Sequence, residues 1–407
     1  MSTESAFPYA KLSDLAEVTG GVTLGRTIPD AASVELPYLR VANVQDGYID
    51  TADLKTVRVL QSEVQRYAVR KGDVLITEGG DFDKVGRGAV WDGRISPCLH
   101  QNHLFRVRCR PAKLLPEYLA IYLASTEGRQ YFLSIAKQTT NLASINSSQL
   151  KAMRIPWRRL EDQRRVVTVL EAVAAQERAI EVAIDKLQIV RRGALMSLMP
   201  SVAAIAPVKG FVRGPLRDFV PTVEYGISTA LTAESMGTPV LRMNNLRDGH
   251  ADVDDLRYLP GRAPNHLRLR SGDVLFNRTN SIDHVGKSVL WRGELPEATF
   301  ASYLVRLVPD RRKLLPGYLV EWLQHPLVRQ RIRAIATVAV QQVNVNPTRL
   351  RELEIDVPED LSLQRRVVDT LAAFDMRIEE QRREQMKLRE LKVGLTGDLL
   401  SGSRRVG

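Results

Sequence analysis

The sequence predicts an α+β (mixed α/β) chain in which one domain and one long α-helix are written twice, the two helices pairing as an antiparallel coiled coil within the chain. Three observations predict this. The string Gln163-Arg164-Arg165-Val166-Val167 returns as Gln364-Arg365-Arg366-Val367-Val368, an offset of 364 − 163 = 201. Apolar residues then climb in steps of four and three, through Val166, Leu170, Val173, Ile180, Ile184 and Leu187 in one copy and Val367, Leu371, Phe374, Ile378, Leu388 and Leu395 in the other. That is the a/d seam of a coiled coil, held for about four heptads. Upstream of each helix, the same strand, turn and helix-start markers recur about 200 residues apart.

The helices are expected over residues 162–198 and 363–399, each on the order of 55 Å long at about 1.5 Å per residue. Glu177 falls where the second copy has Ile378, and Ile180 and Ile184 fall where it has Gln381 and Gln385. Polar layers in an apolar seam fix register at some loss of stability, so the two seams suit each other as partners. The alternative is that each stripe packs only on its neighbouring domain. The expected organisation is a domain over 1–160, a helix over 161–199, a linker over 200–215, a second domain over 216–361, a second helix over 362–402 and a tail over 403–407.

In chain order, Lys11-Leu12-Ser13-Asp14-Leu15 leads into the turn at Gly20-Gly21. Pro37 to Val44 is extended and closed by Asp46-Gly47, a strand and its turn. Lys71-Gly72-Asp73-Val74-Leu75-Ile76 is a turn feeding a buried strand, followed by a polar, glycine-rich loop from Thr77 to Gly88 and by Ala89-Val90-Trp91. His103 to Arg110 alternates and predicts another strand. Leu115-Pro116-Glu117-Tyr118-Leu119 opens a helix, with proline where its missing N–H is least needed. A second polar patch, Gln138-Thr139-Thr140-Asn141, precedes Ser144-Ile145-Asn146 and Ile155-Pro156, which stop the domain before the long helix. Residues 200–215 carry three prolines and two glycines, a composition suited to a linker. Beyond them the markers return, with Gly272-Asp273-Val274-Leu275, Trp291 and Leu314-Leu315-Pro316-Gly317-Tyr318-Leu319 all at 200 from their counterparts. The spacing is too long for a solenoid.

A length of 407 residues allows two or three domains. Lysine and arginine exceed the acids by 58 − 47 = 11, and the pI is near 9.7, which favours a polyanionic partner such as nucleic acid. Residues 1–10 carry no secretory signal pattern, and no apolar run approaches the length of a membrane span. With only Cys98 and Cys109, no disulfide framework organises the fold, and a cytoplasmic setting fits.

The copies differ in their loops. Thr77-Glu78-Gly79-Gly80-Asp81-Phe82-Asp83-Lys84 stands against Asn277-Arg278-Thr279-Asn280-Ser281-Ile282-Asp283-His284, and Gln138 to Asn141 against Val338-Ala339-Val340-Gln341. One scaffold carrying two polar surfaces is what a duplicated DNA reader needs, since Arg, Lys, Asn, Gln, Ser and Thr read base edges while phosphate contacts position the module. Solvated loops that drifted after duplication are the plain alternative. The DNA-binding candidates are Lys84, Arg87, Gln138, Thr139, Thr140 and Asn141 in the first copy and Arg242, Asn244, Asn245, Arg278, Thr279, Asn280 and Lys287 in the second.

The order of these markers, twice over, resembles the specificity subunit of type I restriction–modification enzymes. The resemblance spans about residues 11–402 and is close at Leu391-Lys392-Val393-Gly394-Leu395-Thr396-Gly397-Asp398-Leu399-Leu400-Ser401-Gly402. The chain departs from the family's usual Pro-Pro-Leu-x-Glu-Gln lead, having Pro156-Trp157-Arg158-Arg159-Leu160-Glu161-Asp162-Gln163 and Pro358-Glu359-Asp360-Leu361-Ser362-Leu363-Gln364. The resemblance implies a non-catalytic reader whose two target-recognition domains each take one half of a split double-stranded DNA target. It further implies helices that act as a spacer and dock two adenine-N6 methyltransferase subunits and restriction subunits. S-adenosylmethionine, ATP and Mg2+ would belong to those partners, with no cofactor in this chain. A stand-alone DNA-binding regulator, or the reader of another phage-defence system, is the alternative.

The residues themselves argue against an enzyme. The string nearest a methyltransferase loop, Asn346-Pro347-Thr348-Arg349, lacks the second proline and the aromatic that would cradle a flipped adenine. Val285-Gly286-Lys287-Ser288 lacks the earlier glycine of a phosphate loop, Ser281 standing in its place. Cys98, His100, His103 and Cys109 have zinc-like chemistry, but Ala298, Phe300, Tyr303 and Pro309 take their places in the second copy, so the fold does not need a metal.

Overall fold

The computed structural model describes residues 7–29, 32–81, 84–138, 143–247, 249–338 and 342–403. The chain divides into two compact units, one of residues 1–182 with 382–407 and one of residues 183–381. Each unit holds one α/β domain and a stretch of both long helices. In the first, an antiparallel sheet runs in the order Ala16–Gly20, Leu104–Cys109, Val74–Thr77, Gly88–Val90. A second sheet sets Ser33–Leu39 between Lys55–Leu60 and Leu99–His100, and a third, small one joins Lys137–Gln138, Ala143–Ser144 and Gly79–Gly80. The second unit repeats this order with Thr222–Tyr225, Leu304–Val308, Val274–Asn277 and Ser288–Leu290, and with Thr279–Asn280, Val343–Asn344 and Thr337–Val338 in its small sheet.

Val74–Thr77 is buried along its whole length because both faces are covered, which is why it reads as an unbroken apolar run. Val74 and Ile76 meet Tyr118 and Leu119 of the helix Pro116–Ala124, while Leu75 lies with Trp91 and Leu104 on the other side. Val274, Phe276 and Leu275 divide between two cores in the same way. The alternating strand Leu104–Cys109 is also nearly all buried, and its polar members are paired inside: Arg106 donates to the carbonyls of Arg66 and Ala68 at 2.9 Å, and Arg108 makes two bonds of 2.7 Å to Asp73. Glycine is required at 21 and 226, where a Cβ would stand 2.0 Å from the His100 carbonyl oxygen and 2.3 Å from that of Phe300.

Residues 200–215 are a correction to the sequence expectation. Ser201 and Val202 are buried, and Phe211–Pro215 is a strand paired antiparallel with Glu354–Pro358. Arg213 holds Asp356 through Nε at 2.7 Å and Nη2 at 3.1 Å. Proline and glycine at the end of a two-stranded edge are tolerated, and the partner strand lies about 140 residues away, beyond any local signal. Tyr9–Lys11 with Arg154–Pro156 is the same element in the first unit.

The long helices run from Leu160 to Leu198 and from Leu361 to Ser401. In the shared motif the arginines lie outside, the valines enter the core and the glutamine is a clamp. Gln163, fully buried, accepts from the Leu115 N–H at 2.9 Å and donates to the carbonyls of Lys113 and Arg158, both at 2.9 Å. Gln364 does the same with Leu315, Lys313 and Pro358 at 2.8, 2.8 and 2.9 Å. Beyond the clamp, Val166, Val167 and Leu170 share a core with Leu399 and Leu400 in the first unit, and Val367 and Leu371 share one with Leu195 and Met199 in the second. In both units the start of one helix lies with the end of the other, so the pairing is antiparallel and each stripe packs on its domain as well. The polar layer at Glu177 is an ion pair, with Arg389 at 2.7 Å and Lys392 at 3.0 Å. Among the described residues, no helix is long and apolar enough to cross a membrane.

Candidate nucleic-acid interface

A polar turn follows the strand Thr238–Leu241 in the second unit and its counterpart Ser33–Leu39 in the first. Asn245 sits inside that turn at 1% exposure, accepting from the Arg242 N–H at 2.8 Å and donating to the carbonyls of Asp252 and Asp255 at 2.9 and 2.8 Å. Its burial removes it from any surface contact, a correction to the candidate set. Asn43 makes the same three bonds in the first unit. Arg242 is bound to Asp255 at 3.0 Å as Arg40 is to Asp53 at 2.8 Å, so both residues serve the shared scaffold.

Three surface candidates of the second unit gather. Asn244, Asn280 and Lys287 line one recess of about 490 Å3 with Met243, Leu246, Arg247 and His284. Arg247 and His284 stand outside the sequence candidates, although His284 closes the loop that differs between copies. Arg247 projects into solvent beside Asp252 at 2.8 Å. Thr279 and Asn280 belong to the small sheet, opposite Asn344 and Val343. Arg278, at the mouth of that sheet, lies over the Tyr225 ring at 5.2 Å and donates to the Asn344 Oδ1 at 3.2 Å.

In the first unit, Lys84 is exposed and bonds Asp81, whose carboxyl that hydrogen bond holds below the usual carboxylate range. Arg87 lies 3.2 Å from Asp46, a carboxylate shared with Arg129. Gln138 pairs through its backbone with Ala143, and Thr139, Thr140 and Asn141 lie outside the described residues.

The zinc-like residues do not converge. Cys98, His100 and Cys109 are buried; burial pushes both thiols up to about 12 and the imidazole, bonded to the Tyr67 carbonyl at 2.8 Å, down to about 4. His103 is exposed and pairs with Glu78 at 2.8 Å. Among the described residues, no three His, Cys, Asp or Glu side chains are grouped to hold a metal. Asn346 caps the helix Pro347–Arg351, accepting from the Thr348 N–H at 2.8 Å.

Residues 5–187 match the family model of the type I restriction modification DNA specificity domain. A full-length relative carries the same assignment: the chain is 22% identical to the MjaX type I restriction enzyme specificity subunit of Methanocaldococcus jannaschii, over 97% of this chain and 93% of that protein. Over nearly its whole length the chain is thus similar to type I restriction–modification specificity subunits, and its first domain matches their family model. The EcoKI specificity subunit of Escherichia coli is 27% identical over 42% of this chain and 36% of its own length. Two solved structures share the specificity-family fold. One, from work on complex assembly and conformational transition of a type I R-M system, has a TM-score of 0.65 at 18% identity, over 98% of this chain and 99% of that chain. The other, the type I S subunit of M. genitalium, has a TM-score of 0.57 at 12% identity, over 98% and 97%. In this chain, the polar residues that change between copies sit on matching backbone at the small sheets and the loops beside them.

Proposed function

We propose that the chain is the non-catalytic DNA-reading subunit of a type I restriction–modification complex, each α/β domain being a target-recognition domain for one half of a split target. One observation carries the reading: the small sheet and its loops recur with the same pairing in both units while their exposed side chains differ. A scaffold kept twice with its polar surface changed twice suits two different half-sites. The long helices then act as spacer and docking platform for adenine-N6 methyltransferase subunits, with restriction subunits joining the assembly. At about 1.5 Å per residue, the 39-residue helix extends roughly 58 Å, ample for half-sites one turn of B-DNA, about 34 Å, apart. Apolar side chains left exposed on the helices, Met386, Leu391 and Val393 in the first unit and Ile189, Met196 and Met376 in the second, support the docking role.

The test is long-read sequencing of adenine methylation in cells expressing this chain with its methyltransferase, against cells with the methyltransferase alone. The expected result is a split motif, methylated once on each strand and lost without this chain. Methylation indifferent to this chain would put the stand-alone regulator first.

A further inference from the structure

The two units hold one backbone position in the same way and give it opposite charge. The Glu78 N–H donates to the His103 carbonyl at 3.0 Å, and the Glu78 carbonyl accepts from Ile145 at 2.9 Å; the Arg278 N–H donates to Tyr303 at 3.0 Å, and its carbonyl accepts from Val345 at 2.8 Å. Each residue leaves a fully buried strand and enters the small sheet beside the polar loop. The surroundings have changed with the charge. Gly20, opposite Phe105, is replaced by Tyr225, opposite Val305, and Tyr225 is half exposed at 52%.

Arg278 is pre-positioned: its guanidinium rests over the Tyr225 ring, Nη2 is bonded to Asn344 and Nη1 to the Ser302 carbonyl at 3.4 Å. Those bonds leave N–H groups of the fork for the paired acceptors of a guanine, O6 and N7. Glu78 gives one oxygen to the His103 Nδ1, and its other oxygen has no protein partner among the described residues. The His103 ring, itself exposed, holds that carboxylate in place through Nδ1. A carboxylate in a basic DNA reader repels phosphate, so what it offers a bound DNA is an acceptor for a base that donates.

We infer that residues 78 and 278 are equivalent base-reading positions, with Glu78, held by His103, accepting from a base that presents an exocyclic amino group, cytosine or adenine, in one half-site and Arg278 donating to a guanine in the other. The inference rests on the split-target reading above. Its test uses the chain with its methyltransferase and reads the methylated motif by long-read sequencing for the wild type and for Glu78→Gln, Glu78→Ala and Arg278→Ala. Both Glu78 variants should relax one position of one half-site, raising methylation of sites with another base there about 10-fold or more relative to the wild-type site. The other half-site should stay as it was. Arg278→Ala should relax one guanine in that other half-site. The base lost in the Glu78 variants tells cytosine from adenine. Glu78→Gln keeps the size of the side chain and decides the matter if the alanine variant does not fold. A wild-type motif left unmoved by Glu78→Gln, or weakened evenly at every position, overturns the inference alone. A wild type with no chain-dependent motif overturns the split-target reading and the inference with it.

Discussion

Beside the long helices, each unit has a recess at the same place, and the two are filled differently. In the first unit it holds about 1340 Å3, walled by small residues including Ala120, Ala124, Ala172, Ala174 and Ala175, with Glu177, Arg389 and Lys392 at its edge. In the second it shrinks to about 20 Å3. Arg191 reaches into it and bonds both Asp375, at 2.6 and 2.9 Å, and Glu321, at 2.9 and 3.0 Å. The duplicate positions explain the difference: Glu321 stands for Ile121 (321 − 121 = 200), Asp375 for Ala174 (375 − 174 = 201) and Lys392 for Arg191 (392 − 191 = 201). Where the first unit has Ile121 and Ala174 in place of those two carboxylates, Lys392 pairs with Glu177 and the recess stays open. A few differences between the copies thus separate an open recess from one closed by an ionic cluster on the same helices.

The second junction is the one a single change should break. Arg191→Ala removes the cation bonded to two carboxylates whose side chains are only 11% and 18% exposed. The expected loss is about 3–5 kcal/mol, read as a lower denaturation midpoint of the full chain, with hydrogen exchange rising along residues 183–198 and 361–381. Next, giving the second unit an apolar set, Arg191→Met with Glu321→Ile and Asp375→Ala, should restore stability to within about 1 kcal/mol of the natural chain. If the triple variant is as unstable as Arg191→Ala, the closed recess depends on its charges and not on packing.

The smallest effect is expected at the first junction. Glu177→Gln should change stability by about 1 kcal/mol or less, because its partners are largely in water. Its sign with pH distinguishes the two junctions. The Arg389 hydrogen bond, with Lys392, holds the Glu177 carboxyl below its ordinary value of 4.5, so its contribution is present above that value and is lost as pH falls through the lower folded one. Burial pushes the Glu321 carboxyl up despite Arg191, so its contribution is present below 4.5 and declines as pH rises through the raised value. Acidification should therefore increase exchange at residues 160–182, and Glu177→Gln should flatten that response while leaving residues 183–198 unaffected.

The duplication, the two seams and their pairing are legible in the sequence because each rests on periodicity or constant offset. Residues 200–215 are not, since Phe211–Pro215 finds its partner only in the folded chain. At the interface, residue type misleads where a polar group serves the backbone. Asn245 has the chemistry of a base reader, but its amide is consumed inside a turn, and the matching Asn43 is the signal of that role. Glu78 escapes notice for the opposite reason. A carboxylate fits poorly with a basic DNA reader until its position is set beside Arg278.

The two buried glutamines have a consequence for how such a chain can change. Every partner of Gln163 and Gln364 is a main-chain N–H or carbonyl. A socket made of backbone is blind to the identity of the side chains around it. The domain in front of the helix can therefore be rewritten, loop by loop, without refitting the joint that holds it, and a new loop surface inherits the bearing of the old one.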